Sequence, residues 1–280
     1  MSDIQKLLNK ASFVELSARA RAKCLLDVGT FRELLDPFCM MASPWLPKQN
    51  IVPQADDGVI IAKGEFNGQS AVVIAIEGVF QGGSMGEVGG AKIAGALELA
   101  IADNQNGIPT LAILLLETGG VRLQEANLGL AAIAEIQSAI VGLRQYQPVI
   151  TVVAGSVGCF GGMSIAAGLC SYIVMTAEGR LGLNGPQVIE QEAGLAEYNA
   201  KDRPFVWGIT GGSQRFNSRL VDILVADSRH DIKQAIGDCV AKGVPKKHRS
   251  EQPKYYFEKL LTINTDRQST PAEAVALYNT

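Results

Sequence analysis

Two junctions in this chain share one pattern. "LLLETGGVRLQEA" and "VVAGSVGCFGGMSIAAG" each pass from an apolar, β-rich run through a glycine pair into a helix-like stretch. Strands that alternate with helices pair in parallel, and a parallel sheet gathers the loops after its strands at one edge, where ligands bind. The pairs Gly119-Gly120 and Gly161-Gly162 are therefore expected to come together. A third loop of this kind, "QGGSMG", follows its own apolar run. A single Gly-Gly at such a junction is often only close packing. Repetition favours a second reading, in which bare backbone N–H groups at helix starts converge on one spot as an oxyanion hole.

The remaining segments fit an α/β chain. "SARARAKCLLDVGTFRELLDP" reads as an amphipathic helix that stops at Gly29, then a second short turn. The Pro-rich loop "SPWLPKQNIVPQADDG" follows. "VIIAKGEFNGQSAVVIAIEG" is two apolar runs around Asn67-Gly68, a strong hairpin signal. A helix is expected from about Lys92 to Asp103, a buried strand in "TLAILLLE", and a long helix through "RLQEANLGLAAIAEIQSAIVGLRQY". "PVITVVAG" and "SYIVMTAEG" read as two more strands. The expected divisions are an N-terminal helical segment and loop over 1–57, a core over 58–228, and a C-terminal helical segment and tail over 229–280.

Composition removes several classes. The net charge of −3 gives no electrostatic reason to expect nucleic acid. No apolar run approaches the ~20 residues of a membrane span, and "MSDIQKLLNKASF" has no signal-peptide apolar region. Cys24, Cys39, Cys159, Cys170 and Cys239 form no CxxC pair, which fits a reducing cytoplasm and predicts neither a metal site nor a disulfide framework.

Competing motifs are weaker. Gly155, Gly158 and Gly161 are spaced GxxGxxG rather than as a dinucleotide fingerprint, and no phosphate loop exists. Gly162-Met163-Ser164-Ile165-Ala166 approximates a nucleophile elbow but lacks its last glycine. A hydrolase reading would need Ser164, then Asp222 or Asp227, then His230; His248 is the one other histidine. Cys159 is a second nucleophile candidate or a small buried hydrophobe. Glu117, Arg122 and Glu125 flank the first glycine pair, either to act on a substrate or as an ion pair that fixes the loop. Lys242, Lys246, Lys247, Arg249 and Lys254 form a basic run that is a solvated surface or a lure for an acidic carrier protein or cofactor phosphates.

"FQGGSMGEVGGAKIAGALELA", "ETGGVRLQEANLGLAAIAEI", "LGLNGPQVIEQ" and, near the N-terminus, "ARARAKCLLDVGTF" resemble the carboxyltransferase branch of the crotonase superfamily, from about Ser17 to Asp227. Within it the resemblance is greatest to the β subunits of biotin-independent malonate decarboxylases. The four-cysteine zinc ribbon of bacterial acetyl-CoA carboxylase β subunits is missing, and there is room for one such domain where fused acyl-CoA carboxyltransferases have two. Val121 stands where the family usually has alanine.

The resemblance implies a crotonase-like superhelix of repeated ββα units, of the carboxyltransferase N-domain type. It implies a cytoplasmic half-site completed by a homologous γ subunit. The substrate is a malonyl thioester on the CoA-like prosthetic group of an acyl carrier protein, decarboxylated through an enolate without a metal. Gly119, Gly120, Gly161 and Gly162 would be the catalytic backbone. Gly82, Gly83, Ser84, Met85, Val121, Arg122, Phe160, Gly185 and Pro186 would bind substrate or acyl arm. A biotin-dependent acyl-CoA carboxyltransferase subunit, a Ser-dependent α/β hydrolase and a non-catalytic scaffold are the alternatives.

Overall fold

The computed structural model describes residues 11–264, 266 and 269–279. Most of the segment "MSDIQKLLNKASF" thus lies outside the described residues. Seven strands form one sheet in simple sequence order: β1 (Arg32–Leu34), β2 (Val59–Phe66), β3 (Gln69–Ile76), β4 (Leu111–Leu115), β5 (Val149–Val153), β6 (Tyr172–Thr176) and β7 (Ile223–Val225). The first three pair antiparallel, and from β3 onward every pairing is parallel. Each strand therefore lies beside its predecessor, so the chain advances as a spiral rather than winding outward from the middle. The hairpin turns at Asn67-Gly68 with Phe66 opposite Gln69, as its sequence requires. β4 and β5 are buried at every residue, which is why they read as unbroken apolar runs instead of alternating ones.

One face of the sheet is covered by α2 (Glu87–Gln105), α3 (Asn127–Leu143) and α4 (Gly162–Leu169), through Ile93, Leu97, Ile133, Ile136, Ile140 and Met163. The other carries α1 (Ala18–Leu25) and α8 (Arg229–Lys242), the latter counted after α5 (Pro186–Ala193), α6 (Arg203–Thr210) and α7 (Gly212–Asn217). α1 buries Ala18, Arg21, Ala22 and Leu25, and α8 buries Ile232, Ala235, Ile236 and Cys239, each set at helical spacing. α9 (Pro253–Leu260) and α10 (Pro271–Asn279) close the chain. No described helix is long and apolar enough to cross a membrane.

Three expectations change. α1 ends at Leu25, and the segment after Gly29 is the edge strand β1 rather than a turn, because Arg32–Leu34 completes the open side of β2. α2 begins at Glu87, five residues before Lys92. Its glycines look like loop, yet a Cβ on Gly90 would collide with that of Ala132, so the glycine admits α3 at close range. α3 begins late, at Asn127, after a short 3₁₀ turn at Leu123–Glu125 and a non-helical Ala126 at φ +49°. The cause of that delay lies in the charged cluster beneath the glycine loops.

Candidate active site

The three glycine loops do meet. Gly119 N–H donates to Gly82 O (2.9 Å), and Met85 and Arg122 exchange backbone bonds with Gly120 and Met85 at 2.7 and 2.9 Å. Thr118 N–H reaches Gly158 O at 2.7 Å, Phe160 N–H reaches Thr118 O at 3.0 Å, and Gly161 N–H reaches Leu183 O at 2.7 Å. Together these bonds make a second short ladder, with bridges Met85–Val121, Thr118–Cys159 and Cys159–Leu181, stitched across the ends of the main strands. At its centre Gly120 (φ +107°) and Gly161 (φ +61°) touch. A Cβ on Gly120 would lie 3.2 Å from Gly161 Cα, and one on Gly161 would lie 3.0 Å from Gly120 Cα. Both conformations are ones L side chains rarely adopt, so sterics and backbone agree on glycine here.

The same bonds change which N–H groups are available. Gly119 and Gly161 are committed to Gly82 and Leu183, and Gly120 N–H donates to Thr118 Oγ1 at 3.1 Å. These three were expected as converging donors. The N–H groups of Gly119 and Gly161 instead tie neighbouring loops together, and that of Gly120 folds back onto Thr118 in its own loop. Among the described residues, the N–H groups of Val121 and Gly162 have no acceptor; Gly162 is the first residue of α4, where the helix supplies none. Gly119-Gly120 is also not at a helix start, since α3 begins seven residues later. Gly162 faces Ile133, whose Cγ2 would be 2.9 Å from an added Cβ, so a larger residue there would press on the α3–α4 packing. Gly185 caps α5 before the buried Pro186, and Leu183, two residues earlier, is the Gly161 acceptor. Gly82 and Gly185 have open space where a side chain would project.

Beneath the loops lie two buried arginines, each paired with carboxylate. Glu117 is bound by Arg21, which α1 inserts under the sheet end, and accepts weakly from Val157 N–H at 3.4 Å. Arg122 is 1% exposed and bridges Asp57 Oδ1 (2.7 Å) and Glu125 Oε1 (2.9 Å), with its second amino group on Ser84 O (3.0 Å). Of the two readings of Arg122, substrate contact or an ion pair that fixes the loop, the geometry shows the ion pair: it is sealed between two carboxylates. Glu125 also accepts from Ser43 Oγ and Glu87 N–H, both at 2.7 Å, while Asp57 takes Gly89 N–H at 2.8 Å. The two carboxylates thus cap the start of α2. Burial raises the Asp57 carboxyl above its ordinary value in spite of Arg122. Burial also opposes charge on Glu125, but its three donors together hold it below the usual glutamate range. Asp57 and Ser43 were not anticipated, because both sit in the Pro-rich loop, which has no periodicity to mark them.

The nucleophile candidates are inert. Ser164 Oγ donates to Gly161 O at 2.7 Å. Asp222 binds Arg249 (2.6 Å) and Ile173 N–H, and Asp227 binds Ser12 and the backbone at Phe13. His230 lines a groove near Cys24 and Asn67, and His248 sits beside Ser171 at 3.3 Å. No triad forms, which removes the hydrolase alternative. Cys159 is fully buried in the ladder, and burial drives its thiol far above the ordinary range. Phe160 is buried under the Arg180 guanidinium, which also stacks on Trp207 and binds Ser156 O. In the basic run, Arg249 pairs with Asp222 and Lys254 with Glu258 at 3.7 Å, as on an ordinary surface. Among the described residues no cluster of three or more His, Cys, Asp or Glu is placed to hold a metal.

Comparison with known proteins gives four further findings. The carboxyl transferase domain family matches residues 12–255. A malonyl-S-ACP:biotin-protein carboxyltransferase of Malonomonas rubra is 40% identical over 237 residues, which cover 81% of this chain and 74% of that one. Among solved structures, a chain of a Pseudomonas malonate decarboxylase hetero-tetramer in complex with malonate is 62% identical, with a TM-score of 0.96 over 99% of this chain and 100% of that one. A transcarboxylase 12S chain at 24% identity and a TM-score of 0.67, over 81% of this chain and 41% of that one, shares the fold.

Proposed function

The chain belongs to the carboxyl transferase domain family, and on that premise we propose that it is the β-type subunit of a malonate decarboxylase acting on a malonyl thioester carried by an acyl carrier protein. The observation that carries the reading is the full-length likeness to a chain of the malonate-bound hetero-tetramer. The meeting of the glycine loops at Gly120 and Gly161 supports it.

In this reaction the bond between Cα and the carboxylate of the malonyl group breaks, CO2 leaves, and the electron pair passes into the thioester as an enolate. A proton then returns to Cα to give the acetyl thioester. Negative charge builds on the thioester oxygen, so fixed N–H donors aimed at it act only where they are needed. Each such donor is worth about 3–4 kcal/mol of barrier. We assign this role to the N–H groups of Val121 and Gly162, which their own chain leaves unused. Gly119, Gly120 and Gly161 keep the cleft narrow, Gly82, Ser84 and Gly185 border the path of the phosphopantetheine-type arm, and Gly83, Met85, Phe160 and Pro186, all buried, back that wall.

A homologous γ subunit completes the site in this reading. Leu123 (85% exposed) and Leu183 (60%), on the loops themselves, would be covered by it. The test is reconstitution: the purified chain should release little CO2 from malonyl thioester and gain activity on mixing with the homologous subunit. Full activity from the single chain would overturn the half-site. The Malonomonas relative's biotin-protein acceptor makes one other route concrete, in which the carboxyl group passes to biotin. Avidin should leave the reconstituted activity unchanged; inhibition would favour the biotin route.

A further inference from the structure

Arg180 lies just after β6 and meets consecutive residues of the glycine loop that follows β5. Its guanidinium donates to Ser156 O from Nε (3.0 Å) and Nη2 (2.6 Å), and to Val157 O from Nη2 (3.3 Å). Gly158 (φ +80°) packs so closely that an added Cβ would lie 2.5 Å from Arg180 O and 2.9 Å from Arg180 Cβ. Cys159 N–H donates to Arg180 O at 2.8 Å. The ring centroid of Phe160 is 5.4 Å from the guanidinium carbon. Every residue from 156 to 160 thus touches Arg180, and the next two along the chain are Gly161 and Gly162.

The arginine is itself held in place. Trp207 of α6 stacks on the guanidinium at 4.6 Å, and its indole N–H donates to Glu178 O at 3.1 Å. Leu181 N–H donates to Thr210 O at 2.8 Å, and Arg180 bridges to Gly211. Two carbonyls and two rings call for a planar fork of donors with a flat face, which a lysine ammonium lacks. The partners of this guanidinium are carbonyls and rings, whereas Arg21 and Arg122 pair with buried carboxylates. Truncating Arg180 therefore strands no buried charge. Ser156 is exposed and Val157 half-buried, so water can take over the freed carbonyls. The loop loses its brace while the fold keeps its core.

We propose that Arg180 is a positioning residue for decarboxylation: it fixes residues 156–160 and so sets the direction in which the Gly162 N–H points. This rests on the proposed function, in which that N–H is one of two donors to the thioester oxygen. Such a donor acts only when it is aimed in advance at the developing charge, and a misplacement of about 1 Å costs about a hundredfold in rate.

The test is Arg180→Ala and Arg180→Lys in the complex reconstituted with the homologous subunit. In Arg180→Ala, kcat on malonyl thioester should fall at least about tenfold, with KM within about threefold of the parent and the melting temperature kept. Arg180→Lys should recover little of the loss. Millimolar guanidinium chloride should restore part of kcat to Arg180→Ala and leave the parent unchanged, a response that lost folding does not give. Hydrogen-exchange protection over 157–162 should fall in the same variant. An active parent with Arg180→Ala within about twofold of it would overturn the proposal. So would a fall in kcat that follows a lowered melting temperature and does not respond to guanidinium. A parent complex that releases no CO2 from malonyl thioester would mark failure of the functional reading instead. Protection over 157–162 then decides the clamp: a fall in Arg180→Ala supports it, and no change overturns it.

Discussion

At the scale of single residues, the chemistry proposed here belongs to the backbone, and side chains in the loops that look reactive are structural. Ser164 spends its hydroxyl on Gly161 O, and the Cys159 thiol is held protonated by burial. Ser164→Ala and Cys159→Ala should therefore each keep decarboxylation within about tenfold of the parent. Steady-state rates on the reconstituted complex check this, and a loss of several orders of magnitude in either folded variant would restore a covalent mechanism. Glycines in the site separate by where their missing side chains point. Gly185 has an ordinary φ of −63° and open space around its Cβ position, so Gly185→Leu should fold normally and obstruct the acyl arm. A severe fall in kcat/KM with an unchanged melting temperature is expected. Gly162→Val should instead press on Ile133 and show first as lost stability, by about 1–3 kcal/mol for an overpacked core.

At the scale of elements, the loops are held by charge buried beneath them. α1 reaches under the sheet with Arg21 to bind Glu117 at the end of β4, and the 3₁₀ turn at Leu123–Glu125 exists because Arg122 lies between Asp57 and Glu125. The same two carboxylates cap α2, so one guanidinium couples the Pro-rich loop, the start of α2 and the loop after β4. Removing one partner of a buried pair strands the other's charge and costs about 3–5 kcal/mol. Arg122→Leu should lower the unfolding free energy by that order, read from denaturant titration, and should reduce activity because Val121 is its chain neighbour. An unchanged denaturation midpoint would show that the cluster is not what holds the loop.

At the scale of the whole molecule, the C-terminal third is tied to the sheet by contacts that depend on pH. His248 lies between Ser171 and Glu251, and burial, reinforced by the nearby Arg144, depresses its pKa below the ordinary histidine value; Glu251 opposes this and Arg249 adds to it. A group whose folded pKa is depressed resists protonation only while folded. Below the ordinary value of about 6.5 the unfolded or undocked segment takes up the proton and the docked one does not, so stability present at pH 7–8 is lost as pH falls. Protection factors over 248–260, taken relative to the intrinsic exchange rate at each pH, should thus fall between pH 7.5 and 5.5, and His248→Gln should flatten that dependence. A His248→Gln variant with the same pH response would assign the effect to another group.

Periodicity and turn chemistry determined most of the architecture. Unbroken apolar runs at "TLAILLLE" and "PVITVVAG" mark strands buried on both faces, Asn67-Gly68 marks the hairpin, and repeated strand–glycine–helix junctions mark a parallel sheet with loops gathered at one edge. These signals are local, so a linear reading recovers them. Tertiary structure alone decided the rest, because it depends on residues distant in sequence. The edge strand β1 exists only because β2 offers it a partner, and position 90, inside a helix, needs glycine only because Ala132 lies against it. Arg122 is engaged in an ion pair because Asp57, 65 residues away, comes to meet it. Which N–H groups stay without a partner follows from which acceptors the folded loops present: Gly82 O, Thr118 Oγ1 and Leu183 O take the donors of Gly119, Gly120 and Gly161 and leave those of Val121 and Gly162.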